Sequence, residues 1–422
     1  MQVFDMAVIG GGVVGAAVFR DLVLRGYSVV LLEKNSNLVH GASCGNSGIA
    51  CTGYDAPEDS LERQCIRRAM LLNPKVYREL GLPSAPVGSL VVAWTQEELT
   101  ALPHIIEANH NIGDKEVRLI SKEELYNLEP YLAPGAHGAV LVPGETVIEP
   151  WLLPLAYVHH GIANGGSVRL EYEVNSGAFS NGVWTLNCAK HSPVQAHYVL
   201  NCAGLYGDIV ERIHSPSVPF HIRPRKGQYV VFDAPDLVKS IIQPIPTDRT
   251  KGVFVFRTLY GHVLVGPTAE DQEARDTAVN TPEVLSMLRQ TAVKIIPALS
   301  TRPIVGSYAG LRPATEHRDY QIDFDQARHW VTVGGIRSTG ATASLAIGEY
   351  VGSLVASAAP PRPKQSVVEF RLPSLQELAD HHLDISSNTM QLGELRHALT
   401  HPISRFGLVK LRDPSLKPTS HL

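Results

Sequence analysis

The sequence predicts an α/β fold that opens on a mononucleotide-binding βαβ unit. Three observations carry this expectation. An apolar run, Ala7-Val8-Ile9, leads into Gly10-Gly11-Gly12-Val13-Val14-Gly15. A second apolar run, residues 27–32, ends in the acid Glu33. Much later, residues 198–204 form an apolar strand running into Ala203-Gly204, as a chain does on returning to a nucleotide-binding sheet. Strand, Gly-x-Gly-x-x-Gly turn, helix, strand and acid, in that order, make the glycine motif informative. Gly10 permits the tight turn, Gly12 lets the backbone approach a pyrophosphate, and Gly15 lets the helix sit close to the sheet. Phosphate oxygens would meet free N–H groups at the positive end of that helix. Glu33 stands where an acid accepts both ribose hydroxyls of an adenosine half.

The remaining elements follow in chain order. Residues 13–25 read as a helix, with Val18, Leu22 and Val23 facing the sheet and Gly26 as its stop. Residues 40–48 are too glycine-rich for a regular element and suit a ligand-wrapping loop. A helix is expected over 60–80, ended by Gly81 and Pro83, then a strand over 88–94. Ser121 and Glu124 match a capping box. Pro150 opens a helix, and strands are expected at 167–174 and 183–187. Beyond Phe220 the pattern changes to strands at 221–233, 252–259 and 262–266, with Tyr260-Gly261 as a hairpin turn. Thr281 caps a helix with Pro282 at its first position. A strand at 330–334 is followed by Gly335-Ile336-Arg337-Ser338-Thr339-Gly340 and an alanine-rich helix to about residue 355. Pro360, Pro361 and Pro363 mark a linker, and a Ser374–Glu377 capping box predicts a helical tail.

These elements divide into a nucleotide-binding domain assembled from 1–83, 145–210 and 305–360, and a cap from 84–144 and 211–304. The cap is α+β with a mainly antiparallel sheet that can roof the ligand. Residues 361–422 are a helical C-terminal extension. A chain of 422 residues exceeds one ordinary core. The net charge of −4, without a long basic stretch, argues against nucleic acid as a partner. No apolar run is long enough to span a bilayer, and the first strand begins too near Met1 for a cleavable signal. Cys44, Cys51, Cys65, Cys188 and Cys202 form no Cys-x-x-Cys pair, which argues for a reducing compartment and against a zinc site. His381, His382, His397 and His401 have no metal-site spacing and read as solvated. The terminal Ser420-His421-Leu422 resembles the Ser-Lys-Leu class of address, which would mean a peroxisomal location in a eukaryote. Otherwise a cytoplasmic location is expected.

Several motifs together resemble one family. They are the Gly10–Glu33 unit, Gly45-Asn46-Ser47-Gly48 with Thr52-Gly53, and Arg225-Lys226-Gly227-Gln228-Tyr229. Val265-Gly266-Pro267-Thr268, Ala309-Gly310-Leu311-Arg312-Pro313 and Gly335-Ile336-Arg337-Ser338 with Gly340 and Thr342 complete the set. The pattern is similar to FAD-dependent glycerol-3-phosphate dehydrogenases and oxidases of the D-amino-acid-oxidase superfamily, and to the related L-2-hydroxyglutarate dehydrogenases. It covers about residues 1–358. The resemblance implies an FAD enzyme of glycerol metabolism that oxidises glycerol 3-phosphate to dihydroxyacetone phosphate by hydride transfer to flavin N5. Oxidation of an L-2-hydroxy acid, or a catalytically silent FAD-binding scaffold, are the alternatives. The electron acceptor, whether oxygen, a quinone or a protein, is left open.

By the same resemblance FAD is held by Gly10, Gly12, Val13, Val14, Gly15, Glu33, Lys34, Ser43, Asn46, Ser47, Val174 and Gly204. Gly335, Arg337, Ser338, Gly340 and Thr342 would reach its flavin end. A helix starting near Thr342 would turn its positive end to the flavin, favouring the reduced anion. Arg312 would grip the anionic end of the substrate, its planar fork suiting phosphate or carboxylate. Lys251 would point into the substrate cavity, a solvated loop lysine being the other reading. Ser47 and Ser338 could bond substrate or flavin, or serve as turn serines. Cys51 departs from the family, which carries a histidine there as its base. A thiol with an ordinary pKa near ~8.5 does not replace imidazole unless activated. Cys51 is therefore a packing residue, an activated thiolate or a covalent flavin anchor. The first reading implies another base, Lys251, His262 or an ordered water, or a changed substrate.

Overall fold

A computed structural model describes residues 2–246, 251–362, 364–413 and 415. Ser420-His421-Leu422 lies outside the described residues. Two sheets organise the chain. The first is built on parallel strands: Val3–Ile9 lies between Val29–Leu32 and Val194–Asn201, with Ser167–Arg169 and Trp330–Gly334 next outward. The strand expected to reach residue 174 stops at Arg169. Parallel strands are buried on both faces and so read as continuous apolar runs. Met6, Val8 and Leu31 pack with the helix Val13–Leu24, while Ala7, Ile9 and Val30 pack on the opposite face with Trp184 and Trp330.

The helix Val13–Leu24 lies against the closing helix Gly340–Ala358. Gly348 makes the approach possible, since a Cβ there would come within 2.9 Å of the Ala17 carbonyl oxygen. Both helices carry their N-termini to the C-terminal end of the parallel strands, where ligands bind in folds of this kind.

The second sheet has nine strands and centres on Arg223–Asp233, which pairs antiparallel with His262–Gly266 and Ile304–Ala314. Phe254–Arg257 and His262–Gly266 form the hairpin expected around Tyr260-Gly261, where Thr258 N–H donates to the His262 carbonyl. Ile304–Ala314 corrects one boundary. The sequence assigns 305–360 to the nucleotide-binding domain, yet this strand belongs to the cap sheet. The chain rejoins the first sheet at Gln321–Asp325. Arg312 is thus carried on the cap, opposite the glycine turn.

The expected cap is found at Thr281, which accepts from Val284 N–H, and Ser60 caps the helix over 61–80, its hydroxyl accepting from Arg63 N–H. Ser121 accepts from Glu124 N–H, but the Glu124 carboxylate turns to Arg118, so no box closes. The tail is not simply helical. Ser374 and Glu377 do form a capping box, and its helix, Leu375–Glu377, runs on as a wider π-helical turn only to His382. A three-stranded meander, Leu383–Asp384, Thr389–Leu392 and Leu395–Ala398, follows, and the tail closes on the helix Pro402–Arg412. Met390 and Leu392 are buried at a period of two, and Gly393 has φ +54° at the turn, which selects a hairpin over a helix. His397 and His401, expected to be solvated, are buried at 2% and 0% exposure.

Candidate active site

The glycine turn is shaped by close backbone contacts. Gly10 has φ +113°, and a Cβ there would lie 2.4 Å from the Cys202 carbonyl oxygen. A Cβ on Gly15 would lie 2.0 Å from the Gly10 carbonyl oxygen. Only glycine fits both positions. Gly12 forms the N-cap of the opening helix, and Val13 N–H donates to Ser43 Oγ at 2.9 Å. Glu33 is buried at the end of the second strand. Its Oε2 accepts from Gly11 N–H at 2.7 Å, and its Oε1 accepts from Asn35 N–H and Nδ2.

A cavity of about 660 Å³ runs along this turn, lined by Gly10, Gly12, Glu33, Lys34, Ser43 and Val174. Lys34 Nζ stands 3.5 Å from the centre of the Tyr206 ring. A second cavity, of about 250 Å³, is lined by Asn46, Ser47, Cys51, Lys251, Arg312, Arg337, Ser338 and Gly340. Gly12, Ser43 and Gly310 line both, so the two spaces meet at the glycine turn. Most of the residues expected to hold FAD, from Glu33 and Lys34 through Gly12 and Ser43 to Ser47 and Ser338, therefore follow one another along a continuous space. This fits the cofactor, and the glycine turn gives its phosphates a close backbone approach.

Val13 and Val14 line the inner cavity. Gly15, Gly204, Gly335 and Thr342 line neither cavity. Gly15 acts through packing, as its contact with Gly10 shows. Gly204 and Gly335 sit at positive φ in the turns that follow two sheet strands. The Thr342 hydroxyl accepts from Cys51 N–H at 3.1 Å and donates to the Ile49 carbonyl.

Arg312 donates to the backbone carbonyls of Lys226 and Thr268, at 3.5 and 3.2 Å. Among the described residues no carboxylate pairs with it or with Arg337. Burial lowers the pKa of the Arg312 guanidinium, Tyr229 raises it in part, and Arg337 is near enough to repel it. The basic run beside it is neutralised: Arg225 pairs with Asp271 at 2.6 Å and Lys226 with Glu270 at 3.3 Å.

Lys251 enters the cavity and donates to Asp55 Oδ1 at 2.7 Å. Burial pulls its pKa down, but Asp55, Cys51 and Glu62 together outweigh burial and the ammonium is held above its ordinary value. A lysine held protonated is a poor base. The Cys51 thiol is pushed up to about 11 by burial, which argues against an activated thiolate. His262 is buried on the cap sheet, its pKa pushed down to about 4 by burial and by Lys410, and it lines neither cavity.

Sequence reasoning missed Tyr54, Asp55, Glu145, Tyr229 and Gln243 on the wall of the inner cavity. The Tyr54 hydroxyl donates to Gln243 Oε1 at 2.9 Å. Glu145 accepts from Thr52 N–H and from the Thr52 hydroxyl, and burial pushes its pKa up to about 7. Tyr229 lies in the quoted Arg225–Tyr229 motif, the one sequence signal that touches these residues.

A family model described as DAO, FAD dependent oxidoreductase, matches residues 5–354. Glycerol 3-phosphate dehydrogenase of Caloramator mitchellensis is 32% identical over 82% of this chain and 73% of its own length. Mitochondrial L-2-hydroxyglutarate dehydrogenase of Bos taurus is 30% identical over 63% of this chain and 61% of its own. Among solved structures, dithionite-reduced L-alpha-glycerophosphate oxidase from Mycoplasma pneumoniae with FAD bound superposes with a TM-score of 0.81 at 27% identity. That match covers 89% of this chain and all of the other.

Proposed function

The chain belongs to the DAO family of FAD-dependent oxidoreductases, and on that premise we propose that it oxidises glycerol 3-phosphate to dihydroxyacetone phosphate. The observation that carries the substrate class is the Arg312–Arg337 pair. Both guanidiniums line the inner cavity, and neither has a carboxylate partner among the described residues. Two guanidiniums whose charge no carboxylate offsets suit a phosphate dianion, which accepts hydrogen bonds on three oxygens.

Bound FAD supplies the acceptor for the hydride of the alcohol carbon. The chain's own residues do the rest. Arg312 holds the anionic end, and Ser47 and Ser338 border the same space. Lys251 donates toward the substrate oxygen while Asp55 keeps it charged. Binding energy collected at the phosphate is used to hold the reacting carbon in place.

Oxidation of L-2-hydroxyglutarate is the second reading, favoured by the presence of further cations in the cavity. It requires a separate cation for each carboxylate. Lys251 and Arg225 are the candidates, and each is already paired with an acid. The two readings separate by kcat/KM for both substrates on one enzyme preparation. Competitive inhibition by inorganic phosphate, with little by glutarate, supports the phosphate reading. The reverse order contradicts it.

A further inference from the structure

We propose that Glu145 is the catalytic base, accepting the proton of the substrate hydroxyl. Glu145 occupies the turn between the strands Gly138–Val142 and Thr146–Ile148. It lines the inner cavity together with Cys51, Asp55 and Lys251. Thr52 N–H holds its Oε1 at 2.8 Å and the Thr52 hydroxyl at 3.2 Å. Oε2 has no hydrogen-bond partner among the described residues. One oxygen is thus fixed by the protein and the other is left for a proton. The residue carrying these donors follows Cys51 directly, so the carboxyl is anchored to the segment that borders the reacting space.

Three other titratable groups of the cavity are engaged elsewhere. Cys51 holds its proton far above neutral pH, Lys251 is kept charged, and the Asp55 Oδ1 lone pairs face the Lys251 ammonium. His262 is outside the cavity. Four influences set the ionisation of Glu145. Burial and the Asp55 carboxylate raise its pKa, while the Thr52 donors and the Lys251 ammonium lower it. The balance near neutrality is where a general base works best. In the reaction the O–H bond breaks and its proton passes to Oε2. The C–H bond breaks with its electron pair leaving as hydride to the oxidised flavin. The C–O bond becomes a carbonyl, so both hydrogens and both electrons are placed.

The inference rests on the proposed function only in needing a secondary alcohol as substrate. The test uses the FAD-loaded enzyme and its Glu145→Gln variant. Anaerobic flavin reduction by glycerol 3-phosphate is followed in a stopped-flow instrument across pH. In the wild type the rate rises with pH through a midpoint near pH ~7 and levels off above it, where the base is ionised. Glu145→Gln slows reduction by about 10²–10⁴-fold and abolishes that pH limb, while FAD binding is retained. Independently of turnover, infrared titration of the wild type shows a protonated-carboxyl band that disappears near pH ~7, and the variant lacks it. If the variant fails to hold FAD, Glu145→Asp takes its place, and a displaced pH limb supports the assignment. A Gln variant that reduces flavin at the wild-type rate, or keeps the limb, overturns it. Failure of glycerol 3-phosphate to reduce the wild type overturns the substrate reading instead, and the infrared titration still decides for or against an ionisable Glu145.

Discussion

Cys51 N–H donates to Thr342 Oγ1 at 3.1 Å, and the Cys51 sulfur lies 3.4 Å from the same oxygen. Thr342 also donates to the Ile49 carbonyl, so its hydroxyl fastens the loop beside the substrate cavity to the first turn of the helix Gly340–Ala358. The thiol therefore packs at a joint between loop and helix.

That placement predicts an unreactive cysteine. With its pKa pushed up to about 11, Cys51 is thiolate in only about one molecule in 10⁴ at pH 7. Iodoacetamide should leave Cys51 unlabelled at neutral pH, with labelling emerging above pH ~10 as the thiol ionises. Cys51→Ala should reduce flavin within about fivefold of the wild type. Rapid neutral-pH labelling in peptide mass spectrometry, blocked by substrate, would restore the thiolate reading.

Arg312 can be tested from two sides. Arg312→Ala should raise KM for glycerol 3-phosphate by about a hundredfold, the scale of a lost charge-assisted hydrogen-bond pair. Gly227→Ala should act on the same group without removing it. A Cβ there would lie 2.6 Å from Arg312 Nη2, so the guanidinium must shift. The expected result is a KM increase of about tenfold with FAD affinity unchanged. Equal effects on FAD and substrate binding would show that Gly227 serves the fold rather than the arginine.

Glu33 holds the glycine turn through Gly11 N–H and orders its own loop through Asn35. Glu33→Ala leaves a donor in the turn without its acceptor and removes an acceptor from the cofactor space. Apoprotein titrated with FAD and followed by fluorescence should show Kd raised by about 10–100-fold, and Glu33→Gln should fall between. An unchanged Kd for Glu33→Ala would remove this acid from the cofactor site.

Parts of this arrangement are legible in the sequence because they are local. The opening unit declares itself by apolar strands flanking the glycines. Ser60, Thr281 and Gly81 mark helix ends through chemistry within one turn of the chain. Asp55 and Glu145 leave no such trace, being single acids in turns that meet only through long-range pairing of the strands around them. The same holds for Ile304–Ala314, whose sheet is chosen by Arg223–Asp233 some eighty residues earlier. In the tail the Ser374 capping box is a true local signal, but it starts one short helix and says nothing of the hairpin beyond. Thr342 lies in a glycine- and serine-rich turn that invites a cofactor role, and only the fold shows its hydroxyl tied to Ile49 and Cys51.

The buried histidines predict acid lability. Burial pushes His159, His160, His262 and His397 down to about 4, and His401 to about 3. His401 stays neutral, donating from Nε2 to the Asn46 carbonyl and accepting Ile403 N–H at Nδ1, so the tail supports the Asn46-Ser47 loop. These folded pKa values lie below the unfolded value of about 6.5. Between pH ~6.5 and ~4 the unfolded chain takes up protons that the native state refuses, so stability falls as pH falls. Each histidine contributes up to about 1.4 kcal/mol per pH unit in that window. Tm should fall steeply from pH 6.5 to 4.5 and change little from pH 7 to 8. A flat Tm down to pH 5 would contradict the burial of these groups as neutral rings.

An anionic secondary alcohol oxidised in the cavity between the glycine turn and Arg312 must reduce the flavin held there. Anaerobic mixing of the FAD-loaded protein with glycerol 3-phosphate, with the visible flavin band recorded, should show bleaching of that band and stoichiometric dihydroxyacetone phosphate. A band that persists at saturating glycerol 3-phosphate, in protein that dithionite does bleach, would contradict it.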